Sequence, residues 1–192
     1  MKETPILFTP GNVQAILDGS KVQTRRIVKS PLIDRSFGCE LSANELGAGE
    51  ISALCPFGAV GDRLWVRETW RVVGGREYEY QQRIEDVKYK ANLLDVIESG
   101  NATWRPSIFM PKWACRLRLE ITNVRIERLQ DCSSEDAIAE GASLWEGECD
   151  LREKRLTRAQ LQYAALWDSI NGACSWDANP WVWAITFKRL KP

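Results

Sequence analysis

The segment Arg63-Leu64-Trp65-Val66-Arg67-Glu68-Thr69-Trp70-Arg71 alternates with period two, and it follows the turn chemistry of Cys55-Pro56-Phe57-Gly58-Ala59-Val60-Gly61-Asp62. It reads as a β-strand launched from a tight turn. Successive strand side chains point to opposite faces, so Leu64, Val66, Glu68 and Trp70 share one side while Arg63, Trp65, Arg67, Thr69 and Arg71 share the other. Glu68 thus falls on the apolar side. A carboxylate there must be partnered or protonated, because burying an unpaired charge is very costly. Any fold of this chain has to bury that face and find a partner or a proton for Glu68.

Other segments place the remaining elements. Val13, Ile16 and Leu17, after Gly11-Asn12 and before Gly19, have the spacing of a short helix, and Thr24 to Val28 opens a strand. Leu117, Leu119 and Ile121 alternate with Arg116, Arg118 and Glu120, and Val124 to Leu129 continues as strand. A hairpin turning at Thr122-Asn123 is expected between them. Ser133 with Asp136 resembles a capping box before a short helix closed by Gly141, and Thr157 with Gln160 opens a longer helix ended by Asn171-Gly172. In that helix Tyr163, Leu166, Trp167 and Ile170 form a core face. Trp181, Trp183, Ile185 and Phe187 mark a C-terminal strand, and Val87 to Ala91 a possible extra one. Ser30 to Ala53 and Arg76 to Ser99 read as insertions.

Composition removes several function classes. The 192 residues suit one domain, residues 1–192, with insertions near 30–53 and 76–104. No apolar run approaches the roughly 20 residues that cross a bilayer, and Met1-Lys2-Glu3-Thr4-Pro5 lacks a signal core, so a cytoplasmic location and no membrane partner are expected. There is no histidine, and the six cysteines form no C-x-x-C pair. A metal site, a cofactor and a disulfide framework are therefore not expected, and proton transfer falls to Lys, Asp, Glu, Tyr or Cys. The formal net charge is zero, so no long-range field steers polyanions. The arginines are nevertheless clustered, at Arg25-Arg26, along Arg63, Arg67 and Arg71, and from Arg105 to Arg128, which suggests one basic face.

Periodicity alone stops at α+β. Five ordered segments go further: Lys21-Val22-Gln23-Thr24-Arg25-Arg26 after the first helix, Gly61 to Glu68, Met110-Pro111-Lys112-Trp113-Ala114, Glu135 to Gly141, and Leu166-Trp167-Asp168-Ser169-Ile170-Asn171. With them the chain resembles the ASCH domain of the PUA-like superfamily, in the longer form found among phage and prophage proteins. The resemblance implies a small mixed β-barrel with short flanking helices and a cleft associated with RNA or nucleosides. One bacterial branch, the small amidohydrolases that deacetylate N4-acetylcytidine, uses a Lys-x-x-Thr pair and a later strand Glu. Lys21, Thr24 and Glu68 match those roles by residue type and order.

The chemistry of such a set follows from its groups. Thr24 Oγ1 is a weak nucleophile until a base takes its proton, and Lys21 is three residues away. Lys21 must then be neutral, which means falling from about 10.4 to about 7 or 8 at a cost of about 4 kcal/mol; burial and the charges of Arg25 and Arg26 act in that direction. Glu68 would hold Lys21, bind the substrate amine or return a proton. Arg25, Arg26, Arg63, Arg67, Arg105 and Arg116 are candidates for phosphate or substrate contact, and Trp104 and Trp113, flanked by Arg105, Pro111 and Lys112, for base stacking.

Plainer assignments stay open beside these. Lys21 and Thr24 fit a solvated lysine and a strand-opening threonine, Glu68 fits an arginine's ion-pair partner, and the Arg63 to Arg71 stripe fits a solvated strand face. Three functions follow: a metal-free amidohydrolase on an acylated nucleobase or nucleoside, a noncatalytic RNA-binding module, and a ribonuclease.

Overall fold

The computed structural model describes residues 1–29, 32–33, 40–41, 51, 54–72, 87–99, 103–142 and 156–190. Its strands and helices are β1 (Glu3–Leu7), α1 (Pro10–Asp18), β2 (Gln23–Ile27), β3 (Leu32–Ile33), β4 (Glu40–Leu41), β5 (Arg63–Arg67), β6 (Trp70–Val72), β7 (Val87–Tyr89), α2 (Leu93–Ser99), β8 (Arg118–Arg128), α3 (Ser134–Ala139), α4 (Arg158–Asn171) and β9 (Trp181–Leu190). The fold is α+β. Five strands form the main sheet in the order β1-β5-β8-β9-β2, with β3-β4 and β6-β7 as separate pairs. Strand β1 runs parallel to β5, and the other neighbours in the main sheet are antiparallel. Much of the expected insertions, residues 34–39, 42–50 and 73–86, lies outside the described residues.

Local chemistry explains the helix limits. Thr9 Oγ1 accepts from the Asn12 amide at 3.3 Å, Pro10 occupies the first turn and Gly19, at φ 80°, ends α1. Ser133 Oγ accepts from the Asp136 amide at 3.1 Å at the start of α3. Thr157 and Gln160 form the reciprocal capping box of α4.

The β5 alternation holds through Leu64, Val66, Glu68 and Trp70, all buried, although the strand itself breaks at Glu68-Thr69. Strand β9 lies inside the sheet, between β8 and β2, and is buried on both faces. Trp183, Ile185 and Phe187 join a core with Leu64, Val66, Leu119 and α1, while Val182 packs with Tyr163, Trp167 and Trp176 under α3 and α4. A third cluster joins Trp70, Val87, Tyr89, Met110 and Ala114.

Two expectations are corrected. Residues 118–128 form one strand, with no hairpin at Thr122-Asn123. The register against β9 shifts between Ile121 and Asn123, so an extra residue is absorbed as a bulge. The buried positions change from Leu119 and Ile121 to Val124.

The barrel is not closed: β1 and β2 stand at opposite ends of the sheet order. Between them Arg26 Nη2 donates to the Leu7 carbonyl at 2.6 Å, with its guanidinium 5.1 Å from the Phe8 ring centroid. Side chains thus fill a seam where a closing ladder, at about 4.8 Å spacing, would have to run.

Three arginines of the basic clusters are engaged within the fold: Arg25 is buried among carboxylates, Arg67 donates to the Met110 and Ile108 carbonyls, and Arg116 pairs with Glu68.

Candidate active site

The chain leaving α1 is held on both sides before it enters β2. The Lys21 amide donates to the Ala15 carbonyl at 3.0 Å, the Val22 amide to the Ala139 carbonyl at 2.9 Å, and the Val22 carbonyl accepts from the Phe187 amide at 2.9 Å. The end of α3 is thereby fixed against the Lys21 segment. Gly141, at φ 84°, turns the chain there, and a Cβ at this position would lie 3.5 Å from Ala15 Cβ and 3.6 Å from Lys21 Cβ. This turn brings Glu140 to Lys21.

Lys21 Nζ donates to the Glu140 carbonyl at 2.8 Å and to Glu140 Oε2 at 2.7 Å, and Arg25 Nη1 donates to Glu140 Oε1 at 3.1 Å. Lys21, Arg25 and Glu140 are each buried. Arg25 continues the network to Glu127 Oε1 at 2.6 Å and Asp136 Oδ2 at 2.9 Å, where Arg125 joins, and its guanidinium lies 5.8 Å from the Tyr163 ring centroid.

Burial pulls the Lys21 ammonium below its ordinary pKa; Glu140 opposes this, and Arg26 and Arg25 add to it. For Arg25 burial acts downward too, but Glu140 and its other neighbours outweigh it and hold the guanidinium above its usual range. Burial, then Glu140, keeps the Tyr163 phenol protonated well beyond its normal pKa, and burial pushes Cys132 up to about 12.

Beside this network opens a cleft of about 180 Å³, below the roughly 300–1,000 Å³ of sites for drug-sized ligands. It has room for a single base or a similar fragment. Lys21, Thr24, Arg25, Arg26 and Glu140 line its charged side. Leu7, Ile27 and Ile170, all exposed, belong to its apolar lining with Leu166, while Tyr163 and Trp167 line it from α4. Arg26 Nε and Trp167 Nε1 are both buried without a hydrogen-bond partner.

Of the residues expected in the catalytic set, Lys21 and Thr24 meet at this cleft and Glu68 does not line it. Glu68, 1 % exposed, accepts from Arg116 Nε at 2.9 Å and Nη2 at 2.8 Å, and Arg116 stacks 4.0 Å from the Tyr89 ring centroid. Arg25 and Arg26 belong to the cleft; Arg63, Arg67, Trp104, Arg105, Trp113 and Arg116 do not line it. Trp113 packs edge-on to Trp70 at 6.0 Å, Arg105 lies over Trp70 at 5.4 Å, and Trp104 is half-buried.

Glu140 carried no role in the sequence reading. Its only signal was its place in the Glu135 to Gly141 segment, and no local pattern pairs it with a lysine 119 residues away. Trp167 was read as core and is core, yet it also lines the cleft.

Among the described residues, no group of three or more His, Cys, Asp or Glu is placed to hold a metal ion, and no helix is long and apolar enough to cross a membrane. Cys55, Cys115 and Cys132 are buried free thiols, and Cys174 is exposed. No protein-family model, curated protein or solved structure matches the chain.

Proposed function

We propose that this chain is an ASCH-type, PUA-like protein whose barrel stays open along the Arg26 seam, and that its cleft binds an acylated nucleobase or nucleoside and hydrolyses the exocyclic amide without a metal. The observation that carries this reading is a buried, pKa-lowered Lys21 lining the same small cleft as Thr24.

Two of the three tetrahedral positions on Lys21 Nζ are directed at Glu140, one at its carbonyl and one at Oε2. When the ammonium loses a proton the amine keeps two N–H donors, which suffice for both acceptors, and the third position becomes a lone pair. Glu140 therefore orients the base without occupying the place where it works. Thr24 Oγ1 bonds the acyl carbon as its proton passes to Lys21 Nζ. The bond from acyl carbon to exocyclic nitrogen then breaks, and the amine leaves with that proton. Water, activated by the same lysine, releases the carboxylic acid from Thr24. Arg26 lies two residues along β2, on the same strand face as Thr24, and lines the same cleft, so its guanidinium is the group to stabilise the developing oxyanion.

The test is chromatography of N4-acetylcytidine after incubation with wild type and with Thr24→Val, which keeps the side-chain volume. Turnover lost in a variant of unchanged denaturation midpoint supports the assignment. No turnover by the wild type transfers it to a noncatalytic RNA-binding module, for which salt-dependent RNA affinity should fall on Arg105→Ala or Trp113→Ala.

A further inference from the structure

A row of positive charge runs along the outer sheet face to the rim of the cleft. On β5 the side chains of Arg63, Trp65 and Arg67 stay half-buried while Leu64 and Val66 turn into the core, so these three share the solvent side along about 13 Å of strand. Arg118 on β8 stands opposite Trp65 and is exposed. On the other flank β1 sets Glu3 beside Arg63 and Leu7 beside Arg67. Leu7 is 42 % exposed and lines the cleft. The end of the row and the mouth of the cleft are therefore neighbours in register, one interstrand spacing of about 4.8 Å apart.

The charge on this face is only partly cancelled. Lys112 pairs with Glu3, and its hydrogen bond, with the charges of Arg118 and Arg63, holds that carboxyl below its ordinary pKa. One carboxylate thus answers three cations. Arg67 donates to the Ile108 and Met110 carbonyls, which are neutral and leave its charge in place. Glu120, opposite Arg63, is taken by Lys188. Residues 100–119 contain Arg105, Lys112, Arg116 and Arg118 and no Asp or Glu. Aromatic surface lies within the same face: the Trp65 ring is 5.3 Å from the Arg67 guanidinium, and Phe109, next to the Arg67 acceptor Ile108, is 70 % exposed.

An extended row of cations beside an exposed aromatic ring fits a chain of phosphates whose bases are unpaired, because every base offers a face for stacking. A single phosphate would need its cations gathered at one point. We propose that this face binds a single strand of RNA and leads it to the cleft, with phosphates on Arg63, Arg67 and Arg118, a base stacked on Phe109, and the acylated base presented as part of the strand. The entry of that base into the cleft rests on the amidohydrolase reading, whose cytidine makes the strand RNA; the binding face itself does not.

The experiment compares a short unpaired oligoribonucleotide carrying one N4-acetylcytidine with the free nucleoside, using fluorescence anisotropy for binding of the strand and chromatography for turnover of both. Wild type should bind the strand with an affinity that falls steeply with salt, and its KM for the strand should lie below that for the nucleoside. Arg118→Ala should flatten the slope of log affinity against log salt by about 0.7, the share of one phosphate contact on a single strand. Phe109→Ala should weaken binding about tenfold, the loss of one stacked base. Both side chains are exposed, so their denaturation midpoints should stay at the wild-type value. Turnover of the nucleoside without binding of the strand, or with a KM for the strand no lower than for the nucleoside, overturns this inference and leaves the enzyme reading intact. Binding that neither substitution alters overturns it as well. Binding that both substitutions weaken, without turnover of either substrate, supports the face and removes the enzyme reading. Neither binding nor turnover overturns both.

Discussion

Lys21 Nζ lies 2.7 Å from Glu140 Oε2, and the other oxygen of that carboxylate accepts from Arg25 at 3.1 Å. One buried carboxylate therefore satisfies two buried cations. Glu140→Ala removes the carboxylate from Lys21 and Arg25 at once, leaving Arg25 with Glu127 and Asp136 and Lys21 with the residue-140 carbonyl, and should cost about 3–5 kcal/mol, the usual penalty for breaking a buried pair. Urea denaturation measures it. Combining Glu140→Ala with Lys21→Met should recover part of the loss, because one stranded charge is gone.

The protonation of Lys21 should appear in the pH dependence of stability. Its folded pKa lies below 10.5. Between that lowered value and 10.5 the unfolded chain holds a proton that the folded chain does not, so stability rises with pH across this window. Below the window the cost of burying the ammonium is fully present. Lys21→Met should flatten this slope in denaturation midpoints measured across the alkaline range.

The same group should set the rising, acid-side limb of the pH profile, because Lys21 works as a base only once it has lost its proton. Glu140 raises the Lys21 pKa against burial, so Glu140→Gln should move the rising limb of the pH profile for N4-acetylcytidine toward lower pH. An unmoved limb would assign the ionisation to another group.

Glu68 and Glu140 are separable by experiment. Arg116 meets both oxygens of buried Glu68, and Arg116→Ala should destabilise by about 3–5 kcal/mol. Arg116→Lys should recover little of this, because an ammonium cannot make the paired contact. Glu68→Gln should leave turnover within about threefold of wild type, since a structural partner contributes nothing to the chemical step. Complete loss of turnover in a folded Glu68→Gln protein would make Glu68 the working carboxylate.

Gly141→Ala tests how Glu140 is placed. The residue sits at φ 84° with only ordinary contacts around a new Cβ, so the expected cost is the left-handed backbone strain of about 1–2 kcal/mol. Turnover should fall as well, through displacement of the adjacent Glu140.

Much of the scaffold was legible in the chain because its signals are local. The β5 alternation, the two N-caps at Ser133 and Thr157, and the stops at Gly19 and Gly172 each rest on neighbouring residues. Strand β1 was not legible: it is short and contains Pro5, a residue tolerated because the strand lies at the sheet edge. The Thr122-Asn123 bulge was mistaken for a turn because polar residues there interrupt the apolar pattern in the same way.

The sequence by itself determined that Glu68 would lie on the apolar face and would have to be partnered or protonated, and that Lys21 and Thr24 would lie close together where α1 gives way to β2. Both conclusions follow from strand period and short chain separation. Only the tertiary structure decided that the partner of Glu68 is Arg116, that Glu140 serves Lys21 and Arg25, and that Trp167 lines the same cleft. Those pairings depend on which elements the sheet order and the α3–α4 packing bring together, and no local periodicity encodes a contact across 119 residues.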